Sequence, residues 1–261
     1  MAIAFDASSE GAATAATATI AHTCSGSDRI LLVGIEDQGS ASDRISSVTY
    51  NGIAMTRLDS KAGTGRSIYL YLLIAPATGA NDIVVTFSTS LAWVVLGASY
   101  TGTRQTSQPD VTSSTDTGGT TEVNIPVTTT YGATWLVGFM YNTSGSFTAG
   151  AGTTLRVGLS GLPSSRVIAD SNGTNKPAGT YALIATHSNG EDGGIVTSIK
   201  EAQQTTTVTD TTTVTDAVRY GISSRISDTV TASDDIQIDT SDESWFNDDK
   251  PPVSNFTNVV K

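Results

Sequence analysis

The sequence predicts an all-β protein: a two-sheet antiparallel β-sandwich followed by an extended C-terminal β arm. Three observations carry this. Thr, Ser, Gly and Ala dominate while charged residues make up only 15% of the 261 residues, a composition that suits strands and turns rather than helices. Short apolar runs recur between turn-forming residues at the spacing of an all-β domain. From residue 205 to 240, every large hydrophobic residue falls on an even number, the period of an extended chain.

The first strand pair is read from VTYNGIAM, residues 48–55. Asn51-Gly52 tolerates positive φ at both central positions of a type I′ turn, so this stretch predicts a β-hairpin. Asn172-Gly173 and Asn189-Gly190 predict similar turns. Further strands are expected over residues 29–35, 68–74, 82–87, 93–100, 122–128, 135–141, 153–157, 166–169, 181–186 and 195–199.

Three runs, IYLYLLI (68–74), WVVLGASY (93–100) and WLVGFMY (135–141), are apolar on both faces. A half-solvated antiparallel strand should alternate. Either Tyr69, Tyr71 and Tyr141 extend their hydroxyls to a solvated surface, or a neighbouring subunit or the chain's own arm covers the second face.

The chain divides into a sandwich domain over 1–202, a Thr/Val/Asp-rich β arm over 203–240 and a docking peptide over 241–261. The arm opens with TTTVTD written twice, at 205–210 and 211–216. Val208, Val214, Val218, Tyr220, Ile222, Ile226, Val230, Ile236 and Ile238 would share one face of an extended strip, although Asp210, Asp216, Asp228 and Asp234 fall on the same face. A helix is disfavoured by the β-branched run. The polar composition also suits a disordered linker, but parity sustained over so many residues favours strand pairing, with the arm adding to a neighbour's sheet edge. In the last segment Pro251-Pro252 stops any ladder. Trp245, Phe246 and Phe256 flank it as bulky anchors.

The order RILLVGI, VTYNGIAM, IYLYLLIAPATGANDIVVTF and GGIVTSIKEA resembles a jelly-roll-like β-sandwich module of tailed-phage virion structural proteins, also found in some bacterial surface proteins. The resemblance covers roughly residues 1–202 and implies a structural or adhesive role without catalytic residues. The final segment is also similar to the C-termini of such phage proteins. The expected protein is therefore a non-enzymatic virion component, a capsid-surface decoration or a tail or fibre part. It would associate with itself and with other virion proteins. The alternative expectation is a carbohydrate- or receptor-binding adhesive module that engages host surface glycans, with Trp93 and Trp135 as stacking platforms.

Charge and motifs narrow the other classes. The net charge is −11; residues 203–261 hold 4 basic against 10 acidic side chains and so contribute −6 of it. Such a chain repels phosphate backbones, so no nucleic-acid partner is expected. No apolar run reaches the roughly 18 residues of a membrane span. The N-terminus has no basic residue before Arg29 and no compact apolar segment, so no signal peptide is expected and synthesis is placed in the host cytoplasm.

The single cysteine, Cys24, is read as a small buried hydrophobe. His22 and His187 lie in strand-like contexts, without a G-x-S-x-G elbow. AGTGRS (62–67) lacks the first Gly and the Lys of a phosphate loop and reads as a turn. Glu36-Asp37 and Glu191-Asp192 are read as solvated turn charges, because neighbours on a strand point to opposite faces. The acidic stretches 189–194 and 233–239 lack EF-hand spacing but leave calcium open. The sequons at Asn142, Asn172 and Asn255 carry no weight without secretion. No catalytic, cofactor or metal residue is predicted.

Overall fold

A computed structural model describes residues 2–39, 41–116, 118–159, 165–173 and 176–202. The arm residues from Val208 to Ile238 and the anchors Trp245, Phe246 and Phe256 lie outside the described residues.

The described chain is all-β and antiparallel. Its strands are β1 (Ala4–Cys24), β2 (Ile30–Gln38), β3 (Ile45–Tyr50), β4 (Ile53–Ala54), β5 (Thr56–Gly63), β6 (Arg66–Ile74) and β7 (Gly79–Thr101). They continue with β8 (Thr112–Asp116), β9 (Thr120–Thr129), β10 (Thr134–Asn142), β11 (Thr148–Ala149), β12 (Thr154–Leu159), β13 (Ser165–Asp170), β14 (Gly179–Gly190) and β15 (Asp192–Lys200).

Three sheets form where the sequence predicts two. The 7-stranded sheet runs β4-β3-β7-β2-β6-β5, with β1 on β7; the 5-stranded sheet runs β12-β13-β10-β15-β8; the 3-stranded sheet runs β11-β14-β9. The largest sheet bends back over itself. The ladder between β1 and β7 shifts register between Ala15 and Thr17, where their partners jump from Leu91 to Thr86. Beyond the shift the first part of β7 pairs with β3, whereas its last part pairs with β2. A continuous strand thus supplies two layers, and the expected strands 82–87 and 93–100 are two limbs of β7.

This bend and the 3-stranded sheet together explain the doubly apolar runs. In β2, Ile30 and Leu32 face a core shared with Trp135, Val137 and Phe139 of β10, while Leu31, Val33 and Ile35 face a second core closed by Ile20, Val48, Ile83 and Val85 of the folded-back limb. A third core lies between the 5-stranded and 3-stranded sheets, where Leu136 and Met140 of β10 meet Ile125 of β9 and Leu183 of β14. Alternate residues therefore enter different cores, and all of them must be apolar. The cover expected from a neighbouring subunit or the arm comes instead from the chain's own strands. Tyr69, Tyr71 and Tyr141 do not reach solvent; all three are buried.

Local chemistry accounts for the connections. Asn51 and Gly52 take φ of 49° and 75° and close the β3–β4 hairpin. Asn172 and Gly173 turn in the same region of φ, at 24° and 73°. Asn189-Gly190 makes no such turn, because β14 continues through Gly190, which pairs with Thr120. AGTGRS is the β5–β6 turn, with Gly65 at φ 66°. The expectation missed β1, whose Ala/Ser/Thr sequence has few large apolar residues, as well as β5, β8 and the two-residue β11.

Candidate functional site

Glu36, Arg66 and Arg166 converge between the 7-stranded and 5-stranded sheets. Glu36 stands at the end of β2 with its side chain fully withdrawn from solvent. Arg166 of β13 grips it with Nε and Nη2, each donating to one carboxylate oxygen. Arg66 of β6 adds a third bond, Nη1 to Oε1 at 2.8 Å. The Arg66 guanidinium also lies over the Tyr141 ring, 5.1 Å from its centroid, and reaches 3.7 Å from the Glu191 carboxylate. Arg166 Nη1 donates to the Asn142 carbonyl at 3.2 Å. The Tyr141 hydroxyl donates to Asp116 at 3.0 Å. Burial, and then the Asp116 charge, push that phenol well above its ordinary value.

A second cluster lies elsewhere on the same interface. The Tyr100 hydroxyl donates to Asp170 at 3.0 Å, and Arg156 Nε donates to the same oxygen at 2.6 Å. Arg156 Nη2 continues to Asn172 at 2.8 Å, while its guanidinium lies 4.6 Å from the Phe5 ring centroid. Both clusters tie strands of the first half of the chain to strands of the second.

The carboxylates read as solvated turn charges are therefore corrected. Glu36, Asp37 and Asp192 are fully buried, and only Glu191 retains access to solvent. The expected divergence of neighbours on a strand does occur: Glu36 faces the 5-stranded sheet, whereas Asp37 turns to Arg44 at 3.3 Å and Tyr69 at 3.2 Å. Burial raises the Asp37 carboxyl above its ordinary value against the pull of Arg44. Since both Glu36 oxygens are held by guanidinium groups and neither meets solvent, the cluster is suited to fixing register across two sheets. A general acid or base must instead reach a substrate proton.

The histidines are interior as well. His22 lies 2.9 Å through Nδ1 from Ser9 Oγ, across the fold of β1, and its ring meets Tyr50 edge-on at 6.2 Å. Burial lowers its pKa to about 4, so the ring is neutral near pH 7. Asp6, whose charge acts on the ring, is bonded to Ser25 and Ser99, so it does not serve as the orienting carboxylate of a triad. His187 Nε2 is 3.2 Å from Asp192 but is not aligned for a hydrogen bond, and Asp192 in turn accepts from the Thr120 hydroxyl. Cys24 is buried, as the sequence suggests.

Trp93 and Trp135 do not form platforms. Their exposures are 6% and 4%, with Trp93 in the core beneath the folded-back limb and Trp135 in the core between the large sheets. Rings held this way offer no face to a sugar, so the stacking role given to them is withdrawn. Among the described residues no group of three or more His, Cys, Asp or Glu side chains is placed to hold a metal ion, and no helix is long and apolar enough to cross a membrane.

Reasoning from the sequence missed Glu36, Arg66 and Arg166 as a set. The available signal was the placement of Glu36 and Arg66 at the ends of otherwise apolar runs, ILLVGIE and RSIYLYLLI. Their pairing with Arg166, 130 residues beyond Glu36, is a tertiary fact. Compared with family models, curated proteins and solved structures, the chain matches none of them.

Proposed function

We propose that this protein is a non-enzymatic structural component of a tailed-phage virion, a capsid-surface decoration or a tail or fibre part, built on a jelly-roll-like sandwich. It associates with further copies of itself and with other virion proteins through the 203–240 strip and the aromatic docking peptide. The observation that carries the reading is the fate of the buried charges: Glu36 is held between Arg66 and Arg166. The groups with chemical potential thus serve as ties in a layered, rigid body, which is what a repeated building block requires. The sequence resemblance to virion modules supplies the biological setting.

The test is the solution mass of the full chain beside a version ending at Ala202, whose amide bonds the Gly102 carbonyl and closes the described fold. Light scattering should give defined oligomers for the full chain and a folded monomer for the shortened one. Two monomers of equal behaviour would remove self-assembly through the arm.

A further inference from the structure

The two halves of the described chain repeat one strand order. In the first half β2 lies between β6 and the last part of β7, and β6 carries β5 at the edge. In the second half β10 lies between β13 and β15, and β13 carries β12. The first part of β1 pairs with the last part of β7 as β8 pairs with β15. The second part of β1 pairs with the first part of β7 as β9 pairs with β14. β3 flanks the first part of β7 as β11 flanks β14. The two-residue β4 is the one strand without a counterpart among the described residues. What is one bent strand in the first half is two strands in the second.

The irregularities repeat too. The ladder of β5 on β6 opens with Thr56 opposite Leu72 and bulges between Arg57 and Asp59. That of β12 on β13 opens with Thr154 opposite Asp170 and bulges between Leu155 and Val157.

The halves meet reciprocally. β5 lies against β8 and β12 against β1; β7 touches β12 and β13, while β15 touches β5 and β6. Exchanging each strand for its counterpart leaves this set of contacts unchanged, which is the signature of an isologous, two-fold interface. Register gives the axis. Gly34 pairs with Leu70, which follows the β5 bulge, and Phe139 pairs with Ile168, which follows the β12 bulge. Gly34 and Phe139 are therefore equivalent positions, and they face each other: a Cβ on Gly34 would overlap the Phe139 ring.

We propose that residues 4–200 are a fused pseudo-dimer, two copies of one eight-stranded module joined by the 102–111 segment. Each docks on the other through the outer face of its larger sheet, about a two-fold axis between Gly34 and Phe139. That face is a recognition surface whose partner is another copy of the module. The pairing selects the unlike copy. Two first modules would set Gly34 against Gly34 and leave a void, two second modules would set Phe139 against Phe139, and the Glu36 carboxylate finds its Arg166 partner only across the mixed interface.

The test uses the full chain carrying a specific protease site between Thr106 and Ser107, both exposed. After cleavage of the folded protein, native mass spectrometry should find the two fragments as a 1:1 complex. Fragments separated in denaturant and remixed should re-form it with recovery of the far-UV spectrum. In parallel, Gly34→Phe and Phe139→Gly should each lower the urea midpoint, and the two together should restore at least half of the summed loss, because the axis makes the positions interchangeable. Fragments that never re-form the complex, or a double variant as unstable as the sum of the singles, would overturn the proposal.

Discussion

Glu36 and Arg166, 130 residues apart in sequence, meet in a two-pronged ion pair between the two large sheets, both fully or nearly fully removed from solvent. The pair joins β2 to β13, strands that share no ladder. Glu36→Leu strands the buried Arg166 guanidinium and should lower stability by about 3–5 kcal/mol, whereas Arg166→Met leaves Glu36 still bonded to Arg66 and should cost less. Replacing both, as Glu36→Leu with Arg166→Met, should cost much less than Glu36→Leu alone, because the apolar pair needs no compensation and Arg66 keeps the half-exposed Glu191 carboxylate at 3.7 Å. Urea denaturation of the single and double variants measures the difference. Equal losses would mean that the ion pair contributes nothing specific at this contact.

His22 makes stability depend on pH with a defined sign. Burial depresses the folded-state pKa to about 4 from the ordinary 6.5, so between these values the unfolded chain binds the proton and the folded one does not. Stability is complete above about pH 6.5 and falls as the pH drops toward 4, by about 2–3 kcal/mol. His22→Gln, which cannot titrate, should flatten the urea midpoint across that window. Asp6 acts lower: burial alone would raise its carboxyl, but the Ser25 and Ser99 hydrogen bonds outweigh burial and hold it below its ordinary value. Its contribution is lost only as the pH falls further.

Of the three tryptophans, two are interior. A Trp245→Phe variant leaves Trp93 and Trp135 as the only indoles. Its emission should be blue-shifted and poorly quenched by acrylamide, and soluble glycans should leave it unchanged. A red emission maximum would contradict the burial described for both rings.

The β3–β4 hairpin offers a local test. Gly52 has φ of 75° and open space about its α-carbon, so Gly52→Ala meets no neighbour and pays only for the left-handed backbone. The expected loss is about 1 kcal/mol. Asn51→Gly should be nearly neutral by thermal denaturation.

How far the sequence could be read is clearest in β2 and β1. ILLVGI was legible as a strand because β-branched and large apolar residues fit a pleated buried surface, and the lack of alternation in the runs 68–74, 93–100 and 135–141 signalled cover on their second face. What supplied the cover was not legible. The bend of β1 and β7 at Ala15 and Leu91 is an irregularity of pairing between distant segments, with no period or turn motif to announce it. The long β1 went unread because its Ala, Ser and Thr side chains acquire meaning only from the strand beside them.

By itself, then, the sequence determined the all-β class, most strand positions, the Asn51-Gly52 turn and the interior place of Cys24, because each depends on local conformational preference or on alternating hydrophobicity. The tertiary structure alone decided that one sheet folds into two layers, that Glu36 is closed between two arginines, and that Trp93 and Trp135 face inward. These depend on which surfaces meet, and burial reverses the meaning of a side chain. A carboxylate that reads as a solvated charge along the chain becomes, once its neighbours arrive, a tie between two sheets.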